Sequence, residues 1–96
     1  TEAGREAIQE FWEEKKIDMN GFFMEDGSGL SHYNAVTPHQ IVQVLKETYH
    51  SSSFKDFYES FAIAGKTGTA RFLLSGTSAE GNMRAKSGSL TRVRSY

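Results

Sequence analysis

"RAKSGSL", at Arg84–Leu90, sets a lysine, a hydroxyl residue and a glycine in a row, and its reading decides the fold. A cation, a hydroxyl donor and a residue without Cβ suit the grip of an anion by an edge strand. Upstream, "IAGKTGTARF" at Ile63–Phe72 repeats the triplet as Lys66-Thr67-Gly68, and Lys86 follows Lys66 by twenty residues. One chain needs one such grip. The two copies therefore compete for the role, and the nucleophile that either would serve has to be sought elsewhere in the sequence.

Outward from these triplets, the chain is bounded by its composition. Its 96 residues, 38% hydrophobic and 12% aromatic, describe a globular piece. A chain of this size buries roughly 60–65% of its unfolded surface. A net charge of −1 gives no reason to expect nucleic acid or an anionic membrane as partner. With no cysteine there is neither a disulfide nor a thiolate metal site. No apolar run approaches the ~18 residues of a membrane span. The chain opens inside a helical pattern at Thr1–Glu2 and stops at "TRVRSY", which reads as mid-strand. Residues 1–96 are thus expected to be a segment truncated at both ends.

Helices alternate with short strands along the chain. Ala3, Ala7, Ile8, Phe11 and Trp12 recur at helical spacing, which predicts an amphipathic helix over Glu2–Lys16. "NG" at Asn20–Gly21 is a turn, and Phe22–Met24 a short buried strand. Glu25–Asn34, "EDGSGLSHYN", is a loop. Thr37, Pro38 and Gln40 spell an N-cap, a first-turn proline and a capping box. The helix they start carries an apolar stripe of Ile41, Val42, Leu45 and Tyr49. Ser51–Ser53 breaks it and can cap the next helix, which holds Phe54, Phe57, Tyr58 and Phe61. Phe54–Phe72 holds four of the seven phenylalanines and reads as core. Arg71–Leu74 reads as a helical turn, and Met83–Lys86 with Thr91–Tyr96 as two strands joined through "SGSL". The fold class is α/β in the α+β sense, a partial antiparallel sheet packed on helices.

Several chemistries fail on spacing. A phosphate-binding loop around "AGKT" at Ala64–Thr67 needs a glycine five residues before the Gly-Lys-Thr, and Ser60 stands there. His32, His39 and His50 show no paired spacing on one helical face, so no metal is expected. No cofactor motif is present. "SSFK", Ser52–Lys55, has the Ser-x-x-Lys spacing that sets a base one turn from a serine. A helix-capping serine and a solvated lysine explain the same residues.

A longer pattern carries more weight. "DGSGLS" at Asp26–Ser31, "N…VTP" at Asn34–Pro38, "AG…GT" at Ala64–Thr69 and "GT…G…RAKSGSL" at Gly76–Leu90 follow in one order. Together they resemble the class C low-molecular-mass penicillin-binding proteins, a D-alanyl-D-alanine carboxypeptidase/endopeptidase family. The resemblance runs from about Phe22 to Tyr96. It implies a C-terminal part of a penicillin-binding transpeptidase-like domain, of the fold shared with serine β-lactamases. It also implies peptidoglycan stem peptides and β-lactams as partners of the parent, and a periplasmic or extracytoplasmic location.

The resemblance also decides between the triplets. That family's Lys-Thr/Ser-Gly box has Arg-Ala before it and Ser-Leu after it, which selects Lys86-Ser87-Gly88. By the same resemblance Lys86 sets a charge near the substrate carboxylate and the general base, and Ser87, in place of the more usual Thr, donates to that carboxylate. Gly88 leaves room for a ligand to lie against the strand, and Ser89 offers its backbone N–H to the oxyanion. Lys66-Thr67-Gly68 falls in a preceding turn. The Ser-x-x-Lys and Ser-x-Asn motifs belong upstream of "DGSGLS" and are absent here, so Ser52 is not carried over and the chain holds no nucleophile. Asp26–Ser31 reads as scaffold. The alternative is a non-catalytic binding or scaffold module on the same fold. For a fragment ending in mid-sheet, either self-association through Thr91–Tyr96 or disorder of roughly the last five residues is expected.

Overall fold

The computed structural model describes all 96 residues. Three α-helices come first along the chain and four short strands follow, not the alternation expected, and the strands form two separate two-stranded antiparallel sheets. The mixed α and β character is the one expected. Two compact units divide the chain, Thr1–Ser51 and Ser52–Tyr96.

In the first unit, α1 spans Glu2–Glu14, with the Thr1 side chain accepting from the Gly4 N–H. It ends two residues short of the expected Lys16, which takes a left-handed φ of 66°. The stripe of α1 stays largely open: Phe11 is 50% exposed, and no residue of the helix is buried. Arg5 ties the helix to the loop through the Met24 carbonyl and Glu25. Phe22–Met24 is not a buried strand. Its pairing is a single bridge, Phe23 to Ala35, and Phe23 is half exposed.

Helix α2, Pro38–Tyr49, starts with the capping box its sequence spells. Gln40 N–H donates to Thr37 Oγ1, and the Thr37 N–H donates to Gln40 Oε1. The Gln40 amide also donates to the carbonyls of Asp18 and Asn20. This buried amide is therefore fully bonded, as a polar group out of water must be. It sits with Ile17 and Met19 as the buried residues of this unit. The expected stripe of α2 lies outside that core: Ile41, Val42, Leu45 and Tyr49 are all exposed. Helical period alone names an apolar face but not the element that covers it.

In the second unit, α3 spans Phe54–Ser60, with Ser53 as N-cap but no side-chain capping bond. Phe54, Phe57 and Phe61 are half-buried, whereas Phe72 is exposed, so the expected aromatic core takes in only part of that run. Strand β1, Ala62–Ile63, pairs with β2, Arg84–Ala85. Strand β3, Gly88–Leu90, pairs with β4, Val93–Ser95, in the register Gly88–Ser95, Ser89–Arg94 and Leu90–Val93. Two expectations change here. "SGSL" is not the connection between two strands; most of it is β3, and the turn falls at Thr91–Arg92, where Arg92 takes a φ of 66°. Met83–Lys86 pairs not with the chain end but with β1, a strand too short to leave an alternating pattern. Arg71–Leu74 forms turns, as expected, and follows a 3₁₀ turn at Gly68–Ala70.

Candidate active site

The two triplets fold into unlike surroundings. Lys66-Thr67-Gly68 closes a tight loop on β1. The Lys66 and Thr67 N–H groups both donate to the Ile63 carbonyl, and the Ile63 N–H donates to Thr67 Oγ1 at 2.9 Å. Gly68 has a φ of 57°, and a Cβ there would stand 3.0 Å from Ala62 Cβ. Lys66 Nζ pairs with Glu80 at 3.1 Å, and the other oxygen of Glu80 accepts from the Gly76 N–H at 2.8 Å. Those partners hold the Glu80 carboxyl below its ordinary value, the Gly76 amide first and the Lys66 ammonium after it. Cation, hydroxyl and glycine are all consumed by the loop itself.

Lys86-Ser87-Gly88 follows β2 and enters β3. No carboxylate lies within ion-pair distance of Lys86. Its ammonium is exposed and donates to the Ser87 carbonyl at 2.7 Å. Ser87 Oγ and Thr69 Oγ1 share a hydrogen bond at 3.0 Å. A Cβ on Gly88 would stand 2.8 Å from Ser95 Oγ, so this glycine also serves the close approach of β3 and β4.

The register fixes the direction of the Ser89 backbone. A ladder closed by a two-residue turn exchanges both hydrogen bonds at its closing pair, Leu90–Val93, and again two residues on, at Gly88–Ser95. The intervening pair, Ser89–Arg94, exchanges none. The Ser89 N–H and C=O therefore face away from β4, along the free edge of the strand.

Residues without a role at the level of sequence hold this strand in place. Arg84 Nη1 donates to the Glu59 and Phe61 carbonyls at the end of α3, and its guanidinium lies 4.5 Å from the Tyr58 ring centre. This caps a helix end with a cation and ties β2 to α3. Ala64, fully buried, donates to the Met83 carbonyl and accepts from Gly81. Thr69 carries the only side chain that bonds the Ser87 hydroxyl. Both Arg84 and Thr69 lie inside the "RAKSGSL" and "AG…GT" signatures, but nothing in their spacing announces a contact between segments this far apart.

The remaining sequence candidates lie outside this arrangement. Ser52 sits in the turn before α3 and Lys55 on its first turn, both exposed. In the Asp26–Ser31 loop, Asp26 accepts from Asn34 Nδ2, the Gly29 N–H and Ser28 Oγ. Asn34 Oδ1 in turn accepts from the Glu25 and Asp26 N–H groups. The Asn34 amide, ahead of the other donors, keeps the Asp26 carboxyl below its ordinary value. These bonds turn back on the loop, so it behaves as a self-bonded turn. No three His, Asp or Glu side chains gather as a metal site, and no helix is long and apolar enough to cross a membrane.

Against known proteins, the model of the D-Ala-D-Ala carboxypeptidase 3 (S13) family matches residues 1–96. The chain belongs to that family. A D-alanyl-D-alanine carboxypeptidase of Actinomadura sp. (strain R39) is 31% identical over 97 residues, covering 96% of this chain. A penicillin-sensitive carboxypeptidase A of Dictyostelium discoideum is 32% identical over 96 residues, covering 98%. The chain spans 18% of the length of each of these two relatives. No solved structure matches it.

Proposed function

We propose that the whole protein is a serine-type D-Ala-D-Ala carboxypeptidase/endopeptidase of the class C penicillin-binding kind, acting on peptidoglycan peptides outside the cytoplasmic membrane. In this reading Lys86-Ser87-Gly88 binds the terminal carboxylate of the substrate. The observation that carries it is the contrast between the triplets: Lys66 is neutralised by Glu80, whereas Lys86 keeps an exposed charge beside an open strand edge. Family membership and the names of the relatives support the substrate class.

The chemistry follows from these groups. Lys86 and Ser87 hold the carboxylate of a peptide ending in D-Ala-D-Ala, and the Ser89 N–H faces the carbonyl of the scissile bond. A serine outside these 96 residues attacks that carbonyl carbon. Negative charge builds on its oxygen, where one donor of the Ser89 kind is worth about a hundredfold or more in rate. The C–N bond then breaks, the serine proton passes to the leaving amine, and D-Ala departs. Water releases the acyl group. A β-lactam presents a carboxylate and a reactive carbonyl to the same donors.

In the full-length protein, Lys86→Ala is expected to cut acylation about a hundredfold, equivalent to about 2.7 kcal/mol of transition-state stabilisation. Lys66→Ala should cost only a few-fold. Stopped-flow acylation by a fluorescent penicillin measures both. Equal losses, or a larger one at Lys66, would show that the wrong triplet was chosen. The isolated 96-residue chain should form no adduct with that probe; labelling at Ser52 would make the Ser52–Lys55 pair the nucleophile and base.

A further inference from the structure

We propose that Thr69 is a positioning residue for the substrate-binding hydroxyl of Ser87; this rests on the reading of Lys86-Ser87-Gly88 given above. The two hydroxyls meet at 3.0 Å across eighteen residues of sequence. Thr69 is well placed to hold a direction. It lies in the 3₁₀ turn Gly68–Ala70, whose Ala70 is buried and accepts from the Gly65 N–H. The same loop is pinned to β1 by the bond from Ile63 N–H to Thr67 Oγ1, and β1 pairs with β2, which leads to Ser87. A β-branched side chain on such a turn has little rotamer freedom.

Proton counting gives the pair its function. A serine hydroxyl has one proton and two lone pairs. In the free protein the two hydroxyls share one hydrogen bond in which either can donate. A substrate carboxylate can only accept, so Ser87 must turn its proton towards it. That fixes the direction of the pair: Thr69 donates to Ser87 Oγ, and Ser87 donates to the carboxylate. The oxygen–oxygen contact is kept throughout. A bond to a charged acceptor is the stronger one, so the substrate selects this direction. The donor behind Ser87 polarises it further. Without Thr69, Ser87 keeps its proton but loses both its fixed direction and its supporting donor.

The test uses the full-length protein and a peptide ending in D-Ala-D-Ala. Thr69→Val preserves shape and removes the hydroxyl; it should lower kcat/KM about three- to tenfold, the size of one ordinary hydrogen bond. Thr69→Ser should restore most of the loss. In a Ser87→Ala background, Thr69→Val should cost nothing further, and the same holds for a substrate whose terminal carboxylate is an amide. Losses that simply add in the double variant, or persist on the amide, would overturn the proposal while leaving the carboxylate box intact. A Ser87→Ala protein with unchanged kcat/KM would overturn both.

Discussion

The loop at Lys66-Thr67-Gly68 and the strand at Lys86-Ser87-Gly88 have the same kinds of residue in the same order, and the fold uses them in opposite ways. In the loop each group is spent at home: the hydroxyl on a backbone N–H, the cation on Glu80, the glycine on a left-handed turn against Ala62. On the strand, the cation has no acidic partner, and the next residue turns its N–H away from the neighbouring strand. The two triplets thus differ less in their residues than in what their surroundings leave unpaired. The spent triplet is not idle, since its loop delivers Thr69 to the open one.

Glycine substitutions break this comparison most sharply. Gly65, which opens the first loop, has a φ of 71°, and a Cβ there would stand 2.6 Å from Glu80 Cγ. Gly65→Ala must push Glu80 off both Gly76 and Lys66 and accept a left-handed alanine; we expect a loss of about 2–3 kcal/mol in denaturant unfolding. Gly88→Ala meets only the Ser95 hydroxyl, which can rotate away, so its stability cost should stay under about 1 kcal/mol. Its acylation by penicillin should nevertheless fall at least about tenfold, because the methyl occupies space proposed for the ligand. A Gly65→Ala protein as stable as the wild type, or a fully active Gly88→Ala, would erase the distinction.

The sequence made some of this legible and hid the rest for physical reasons. The capping box at Thr37–Gln40 was readable because all its parts lie within one helical turn. The preference for Lys86 over Lys66 rests on flanking residues and on a family resemblance, and awaits the acylation test. The Glu80–Lys66 pair was not readable, since fourteen residues of irregular turns separate them and no period links them. Strand β1 escaped because two residues cannot show alternation, and β3 was mistaken for a turn because Gly, Ser and Ser favour turns as single residues. The stripe of α2 was legible as apolar, but its exposure was not, since period names a face and not its cover.

Local stability sharpens the comparison further. The first triplet is laced to β1 and β2, with Ala64 fully buried between them and Arg84 clamping the end of α3. The second ends in a hairpin whose outer strand, Val93–Ser95, is exposed along its whole length. Two-stranded hairpins are marginal in water, and an uncovered edge pairs readily. In the isolated 96-residue chain we expect Arg92–Tyr96 either to exchange its amides rapidly or to associate with a second copy. Solution sizing with amide exchange measures both. A strict monomer with these amides strongly protected would mean that the hairpin is as firm as the loop.

The smallest expected effect separates the triplets by pH. The Glu80 carboxyl is held below its ordinary value of 4.5, first by the Gly76 N–H and then by Lys66. A carboxyl depressed on folding binds its proton more readily in the unfolded chain. Its stabilisation is therefore complete well above pH 4.5 and is lost as the pH falls through the lower, folded value. Only the first loop should respond, because Lys86 has no carboxylate partner to protonate. The carboxyl is partly open to solvent and its lysine partner more so, so the effect is modest: exchange of the Gly76 amide, corrected for its intrinsic pH dependence, should quicken a few-fold on acidification below pH 4.5. Glu80→Gln should exchange faster at neutral pH and show no such acid limb. If the wild type and Glu80→Gln share one pH profile, the carboxylate does not hold the loop, and the contrast between a spent lysine and a free one loses its electrostatic half.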